Sequence, residues 1–135
     1  MINHQTKRWV LYAETDKMGY LYYGHYASYY ETGRAEFIRD YGITYRILED
    51  EYGIMMPVAY LQCRYILPAR YDELLTINTH LKEMPRRLFH VEHDILNEQS
   101  QIINQGVAKL LFVDQRTNKN VSSPEYVTNV FAPYF

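Results

Sequence analysis

Cysteine is nearly absent: Cys63 is the only one in 135 residues. That excludes an intrachain disulfide framework and any zinc site built on thiolates. The neighbours of Cys63 are large and mixed, which predicts a buried, inert thiol. An excess of positive charge is also lacking, with 14 Lys and Arg against 16 Asp and Glu. A nucleic-acid partner is therefore not expected; apart from the pair Arg86-Arg87 the basic residues are scattered. No apolar run approaches the length of a membrane span. The start, "MINHQTKRW", has no apolar core of the kind a signal peptide needs, so a cytoplasmic protein is expected. Repeats, low-complexity tracts and linker-like stretches are missing too, and residues 1–135 read as one domain.

Hydrophobic residues make up 47% of the chain and charged ones 22%, enough to bury a core and a normal share for a globular protein. Tyrosine is the outlier, at 15 residues. A tyrosine brings a large apolar ring with a polar tip, which suits a half-wet pocket or a subunit interface better than a dry core.

Alternation over Lys7 to Glu14, with Trp9, Leu11 and Ala13 on one side, predicts a first strand. Thr15 to Tyr22 is a loop holding Gly19. From about Gly24 the period becomes helical, with Tyr26, Tyr30, Gly33, Phe37 and Tyr41 on one stripe. That stripe reads as core, and Gly42 is the stop. A shorter helix, Tyr45 to Tyr52, ends at Gly53. Four strands follow. Met55 to Leu67 is extended, with Pro57 near its start. Leu74 to Lys82 places Leu75, Ile77, Thr79 and Leu81 together; Leu88 to Leu96 does so with Phe89, Val91, His93 and Ile95. Ile102 to Asp114 is apolar on both sides from Val107 to Val113, which predicts a central strand covered on both faces. "PARYDE" and "RTNKN" are connections, the breaks between strands are short enough for antiparallel hairpins, and Pro124 to Phe131 is a terminal helical turn.

A long helix with an aromatic stripe must bury it, and the only large apolar surface available is the sheet. The economical solution is an α+β hot-dog fold: a long central helix wrapped by a curved antiparallel sheet of about five strands.

The segment "YAETDKMGYLYYGHYASYYETGRAEFIRDYG", joined to the later "RYILPARYDELLTI", resembles the thioesterases of the 4-hydroxybenzoyl-CoA and Tol-Pal-associated acyl-CoA group. Their pattern is a Tyr, a Thr-Asp pair, a loop with Gly, a Tyr with a Tyr or His, and a helix carrying Glu and Arg. The resemblance implies an acyl-CoA thioesterase with no cofactor beyond the coenzyme A of its substrate. It assigns Asp16 as nucleophile or general base, and the amides of Tyr23 and Gly24 at the helix start as donors to the thioester oxygen. Tyr12 matches a tyrosine expected to orient or hydrogen-bond the carboxylate. Gly19 turns the loop.

The chemistry agrees with that reading. A thioester carbonyl has little resonance stabilisation and a thiolate leaves readily, so a carboxylate and a positive pole for the oxygen suffice. Free N–H groups and the dipole at a helix start supply such a pole. Two departures stand out. Several relatives carry a catalytic His where Tyr23 stands, and a phenol with a pKa of about 10 is no base at neutral pH. His25 stands where the family often has Asn.

Blander readings exist for each group. An Asp before a helix is ordinarily a cap or turn residue. Glu31 and Arg34 are spaced to pair on the helix. His90 and His93, three apart on a strand, face opposite ways, and with His4, His25 and His80 scattered no metal site is expected. Arg86 and Arg87 could hold CoA phosphates or sit in a solvated hairpin turn; Arg64 and Arg70 stay open in the same way. Tyr22, Tyr23 and Tyr60 are candidates to shape the acyl tunnel. Rival functions are an acyl-carrier-protein thioesterase, a hydratase of the same fold, disfavoured because the Asp16 loop has no His, and a non-catalytic acyl-binding protein. A lone unit would expose a long sheet edge, so a homodimer or homotetramer is expected, with acyl sites at the seam.

Overall fold

The computed structural model describes residues 1–135. Its strands are β1 (Ile2–Trp9), β2 (Ile54–Met55), β3 (Val58–Tyr65), β4 (Leu74–Leu81), β5 (Leu88–Leu96), β6 (Ile102–Asp114) and β7 (Lys119–Val121). Its helices are α1 (Tyr26–Asp40), α2 (Tyr45–Tyr52) and α3 (Glu125–Phe131). The strands form one antiparallel sheet in the order β1-β4-β5-β6-β2, with β3 and β7 also paired to β6. This is the expected hot-dog arrangement, with five long strands and two short ones.

The inward faces of β4 and β5 are the predicted ones: Leu75, Ile77, Thr79 and Leu81, and Phe89, Val91, His93 and Ile95, are all buried. They receive α1 in two apolar clusters. Phe37 and Ile38 pack with Leu81, Phe89, Leu110, Phe112 and Phe131 at one end. Tyr26, Tyr29 and Tyr30 pack with Leu75, Ile77, Ile95 and Ile103 at the other. Between them the helix presses close to the sheet. A Cβ on Gly33 would sit 2.7 Å from both Ile77 Cγ2 and Thr79 Oγ1, so only glycine fits there.

A polar layer lies at that pinch. Tyr30 stacks on His93 with centroids 5.0 Å apart, its hydroxyl donates to Asn104, and Thr79 Oγ1 is 3.1 Å from His93 Nδ1. Burial, then the nearby charges of Arg34 and His80, lowers the His93 pKa to about 3, so the ring is neutral at ordinary pH. His90 points to the opposite face, where it is half-buried. Cys63 is half-buried rather than buried, with its sulfur 3.1 Å from the Tyr30 hydroxyl.

Four local expectations are corrected. The first strand runs over Ile2–Trp9 and gives way to a 3-10 turn at Tyr12–Glu14. Its inward residues are Ile2, His4, Thr6 and Arg8, while Trp9 is exposed. The apolar Trp9-Leu11-Ala13 series was therefore not its buried side. The far face of β6 is only partly covered, with Val107, Lys109 and Leu111 half-open to solvent. Lys119–Val121 adds a short strand within and just after the "RTNKN" connection, paired to Phe112–Asp114, after Asn118 takes a positive φ of 57°. Glu31 does not pair with Arg34; the Arg34 guanidinium is buried and donates to the Tyr45 hydroxyl at 3.2 Å.

Candidate active site

The turn that carries Asp16 is built almost wholly from backbone hydrogen bonds. The Asp16 N–H donates to Tyr20 O at 2.8 Å, and the Gly19 N–H donates to Asp16 O at 3.0 Å. Gly19 closes the turn with φ of 79°, a conformation that costs a side-chain-bearing residue dearly. Outside the turn, the Leu21 N–H donates to Ala69 O at 2.8 Å and Tyr20 bridges to Arg70. The "PARYDE" connection is thus the wall against which the loop is fastened.

Within this frame the Asp16 carboxylate is held by one oxygen. Oδ1 accepts the N–H groups of Met18 at 2.9 Å and Tyr20 at 3.1 Å. Oδ2 accepts nothing from the chain. The carboxylate is half-buried and lines a cleft of about 330 Å³. Tyr20, Leu21, Tyr23, Tyr26 and the segment Tyr65–Pro68 complete the lining.

Next to the carboxylate, a short 3-10 turn at Tyr23–His25 leads into α1. The Tyr22 N–H is used, donating to Glu14 O at 2.9 Å, and Tyr22 O accepts the His25 N–H at 3.0 Å. In a trans peptide the N–H points opposite to the C=O, and the chain has no cis bond. The Tyr23 N–H therefore points outward from the helix start, and no group in the chain accepts it. The Gly24 N–H is likewise unpaired. The Tyr23 carbonyl on the same peptide accepts from Tyr65 Oη at 3.1 Å, so the Gly24 N–H is turned away from Tyr65. A Cβ on Gly24 would lie 2.7 Å from Tyr22 Cε2, so a larger residue there would displace the exposed Tyr22 ring.

Of the residues singled out from sequence, Asp16, Gly19, Tyr23 and Gly24 come together here. Others do not join them within the chain. Tyr12 is 79% exposed and lies edge-on to Tyr71 at 5.6 Å; it makes no hydrogen bond to the carboxylate. Tyr22 packs on Tyr23, 4.6 Å between centroids, and His25 packs on Tyr22 at 5.8 Å, outside the cleft lining. Tyr60 lies under Lys109 Nζ at 4.8 Å, away from the cleft, because its strand turns Tyr65 and not Tyr60 toward α1. Arg86 and Arg87 line a separate, basic cleft of about 410 Å³ with His90 and Lys109.

Sequence reasoning missed Tyr65, Ile66, Leu67 and Pro68, which reach the cleft because β3 ends beside the helix start. It also placed Tyr26 wholly in the core. Tyr26 is 3% exposed yet lines the cleft, in edge contact with Tyr65 at 5.3 Å. Burial, then Cys63 and Glu73, pushes its pKa up to about 12. The Cys63 thiol and burial raise Tyr65 to about 12 as well. Both therefore remain protonated phenols at neutral pH.

Residues 18–103 match the Thioesterase superfamily. The chain belongs to that superfamily. It is 27% identical to the acyl-CoA thioester hydrolase YbgC of Escherichia coli over 127 residues, covering 92% of this chain and 94% of that one. A DHNA-CoA thioesterase from Staphylococcus aureus superposes with a TM-score of 0.90 at 30% identity, over 99% of this chain and 89% of the other. A 4-hydroxybenzoyl-CoA thioesterase in complex with 4-hydroxybenzoyl-CoA shares the fold at a TM-score of 0.85. Identity to it is 18%, over 95% of this chain and 97% of that one. The matched segment of this superfamily member opens just after Asp16 and takes in the helix start and β3 to β5. No helix is long and apolar enough to cross a membrane.

Proposed function

We propose that the chain hydrolyses acyl-CoA thioesters, with the acyl group in the cleft beside Asp16 and the thioester oxygen against the Tyr23 amide. The observation that carries this reading is the unbonded Asp16 Oδ2 at an apolar cleft that also holds Tyr23. Two amide donors fix the orientation of the carboxylate without consuming its second oxygen, so its reactive lone pairs are presented at no further entropic cost.

The reaction follows from those groups. Oδ2 attacks the thioester carbon, or takes a proton from a water that does. Charge moves onto the carbonyl oxygen, where the Tyr23 N–H and the helix dipole receive it, with Gly24 as a secondary donor. Collapse of the tetrahedral species expels the CoA thiolate; in the nucleophilic route water then cleaves the Asp16 anhydride. In a single turnover in ¹⁸O-water, label found in Asp16 identifies the anhydride route with water attacking the Asp16 carboxyl carbon, whereas attack at the acyl carbon places the label in the released acid in either route. No cofactor takes part.

Two coarser features support an assembly. β3 is an edge strand, hydrogen-bonded only to β6, and Val58, Leu61 and Tyr65 on it are 47%, 46% and 53% exposed. An edge this apolar invites a second strand. A second copy joined there would extend the sheet and bring its own residues to the cleft, since Tyr65–Pro68 at the end of β3 already line it. In such a dimer Arg86, Arg87 and Lys109 offer charge for the CoA phosphates. A half-buried free thiol and a CoA-bound substrate both fit the reducing cytoplasm.

The test is release of free thiol from a panel of short, long and aromatic acyl-CoAs. Saturable hydrolysis of at least one class is expected. Tight binding of acyl-CoA without release would instead favour an acyl-binding protein.

A further inference from the structure

Two residues before Asp16, Glu14 is 7% exposed and joins three segments that the proposed reaction must keep in register. Its Oε2 is paired with Arg8 Nη2 at 2.5 Å, which ties it to the end of β1. Its Oε1 accepts the Leu11 N–H at 2.9 Å and the Tyr29 hydroxyl at 2.8 Å, the latter on α1. Its own carbonyl accepts the Tyr22 N–H at 2.9 Å, on the residue that leads into the helix start. Arg8 extends the junction along α1, donating to Ser28 Oγ and Thr32 Oγ1 at 2.9 Å each, with its guanidinium 3.8 Å over the Tyr29 ring.

We propose that Glu14, through Arg8 and Tyr29, is the positioning residue that holds the Asp16 carboxylate in register with the Tyr23 amide. Asp16 and Tyr23 belong to opposite ends of one loop, and the loop's far side is tied to Ala69 and Arg70. Glu14 is where the near side is tied to the helix itself. Its main chain holds the Tyr22 end while its side chain holds the helix body, so the Tyr22 end cannot shift without breaking a bond to it, and Asp16 follows it two residues along the chain.

The alternative is an ion pair that serves the fold alone. Burial by itself would raise the Glu14 pKa, yet the Leu11 N–H, the Tyr29 hydroxyl and Arg8 outweigh that and hold it below the usual carboxylate value. The side chain is therefore an anion at working pH, with every contact above intact. A fold-only pair would alter stability and leave the chemical step unchanged.

This proposal rests on the reading of Asp16 given above, and the experiment separates the two. Wild type, Glu14→Ala, Tyr29→Phe and Asp16→Asn are compared for kcat and KM on the best acyl-CoA, with thermal unfolding to establish the folded fraction. Misplacing a reacting group by about 1 Å can cost on the order of a hundredfold. Glu14→Ala should accordingly lose about a hundredfold in kcat per folded molecule with KM within about threefold of wild type. Tyr29→Phe keeps the ring and removes one bond to the anion, and should lose about tenfold in the same way. It carries the test if Glu14→Ala does not fold. Wild-type kcat in folded Glu14→Ala, or in Tyr29→Phe, while Asp16→Asn is inactive would overturn the positioning role and leave the Asp16 reading standing. Full activity in Asp16→Asn would overturn both.

Discussion

Asp16 divides its carboxylate: one oxygen builds the turn and the other accepts nothing from the chain, on a residue that lines the cleft. The turn role is the ordinary one for an Asp before a helix, and it is also what makes the second oxygen useful, because it removes the rotamer freedom of the carboxylate. The turn at Asp16, the positive φ of Gly19 and the helix start beside Tyr23 were legible from local spacing, while the chemical roles given to Asp16 and Tyr23 came from the family resemblance. Tyr12 and Tyr60 were not legible, because the direction of a side chain depends on where a strand begins and on its register. One residue shifts a strand side chain to the other face, and the strand toward Tyr12 ends three residues before it. His93 yields a prediction at this scale. Its folded pKa of about 3 lies below its unfolded value near 6.5, so the unfolded chain binds the extra proton. Stability is then full above pH 6.5 and declines as pH falls toward 3. Between pH 6.5 and 4.5, unfolding free energy should fall in wild type by up to about 1.4 kcal/mol per pH unit on this account. His93→Phe, which keeps a ring against Tyr30, should lose that part of the slope. Urea unfolding across this range measures it, and parallel slopes would refute the assignment.

At the scale of elements, β4, β5, α1 and α2 could be read from period and stops because each buries an apolar face against the core. β1 could not. Its inward face carries Ile2, His4, Thr6 and Arg8, and His4 and Arg8 meet the polar side of α1 through Asp40, Ser28 and Thr32; no apolar alternation marks it. β7 was hidden for a different reason, since a strand of three residues beside Asn118 carries only a turn signal. The close approach of α1 to the sheet gives a second prediction. A Cβ on Gly106 would come within 2.2 Å of Tyr30 Cζ, and Tyr30 is fully buried and bonded to Asn104, so the ring cannot swing away. Gly106→Ala should destabilise the protein by about 3 kcal/mol, lowering Tm by about 10 °C. A change below about 1 kcal/mol would mean that the helix is free to lift off the sheet at this point.

For the whole molecule, β1 and β3 are the outer strands of the sheet, and they differ in kind. β1 shows Asn3, Gln5 and Lys7 to solvent, the polar dress of a free edge. β3 shows Val58, Leu61 and Tyr65. The account places a second copy on β3, and sedimentation at micromolar concentration should find a dimer or a multiple of it. Leu61→Lys should weaken that association at least tenfold, or about 1.4 kcal/mol. A wild-type monomer would contradict the assembly while leaving the chemistry of a single cleft to be judged separately.

The most direct measurement of that chemistry is the steady-state hydrolysis of the best acyl-CoA by Asp16→Asn beside wild type, with acyl-CoA affinity measured on both. Asn keeps an oxygen for the Met18 and Tyr20 amides and so preserves the turn, but it neither attacks the thioester nor accepts a proton from water. The account predicts a fall in kcat of about a thousandfold or more, as expected for losing a group that acts as a unit with its oxyanion donor, with affinity little changed. An Asn variant that turns over at the wild-type rate would contradict it.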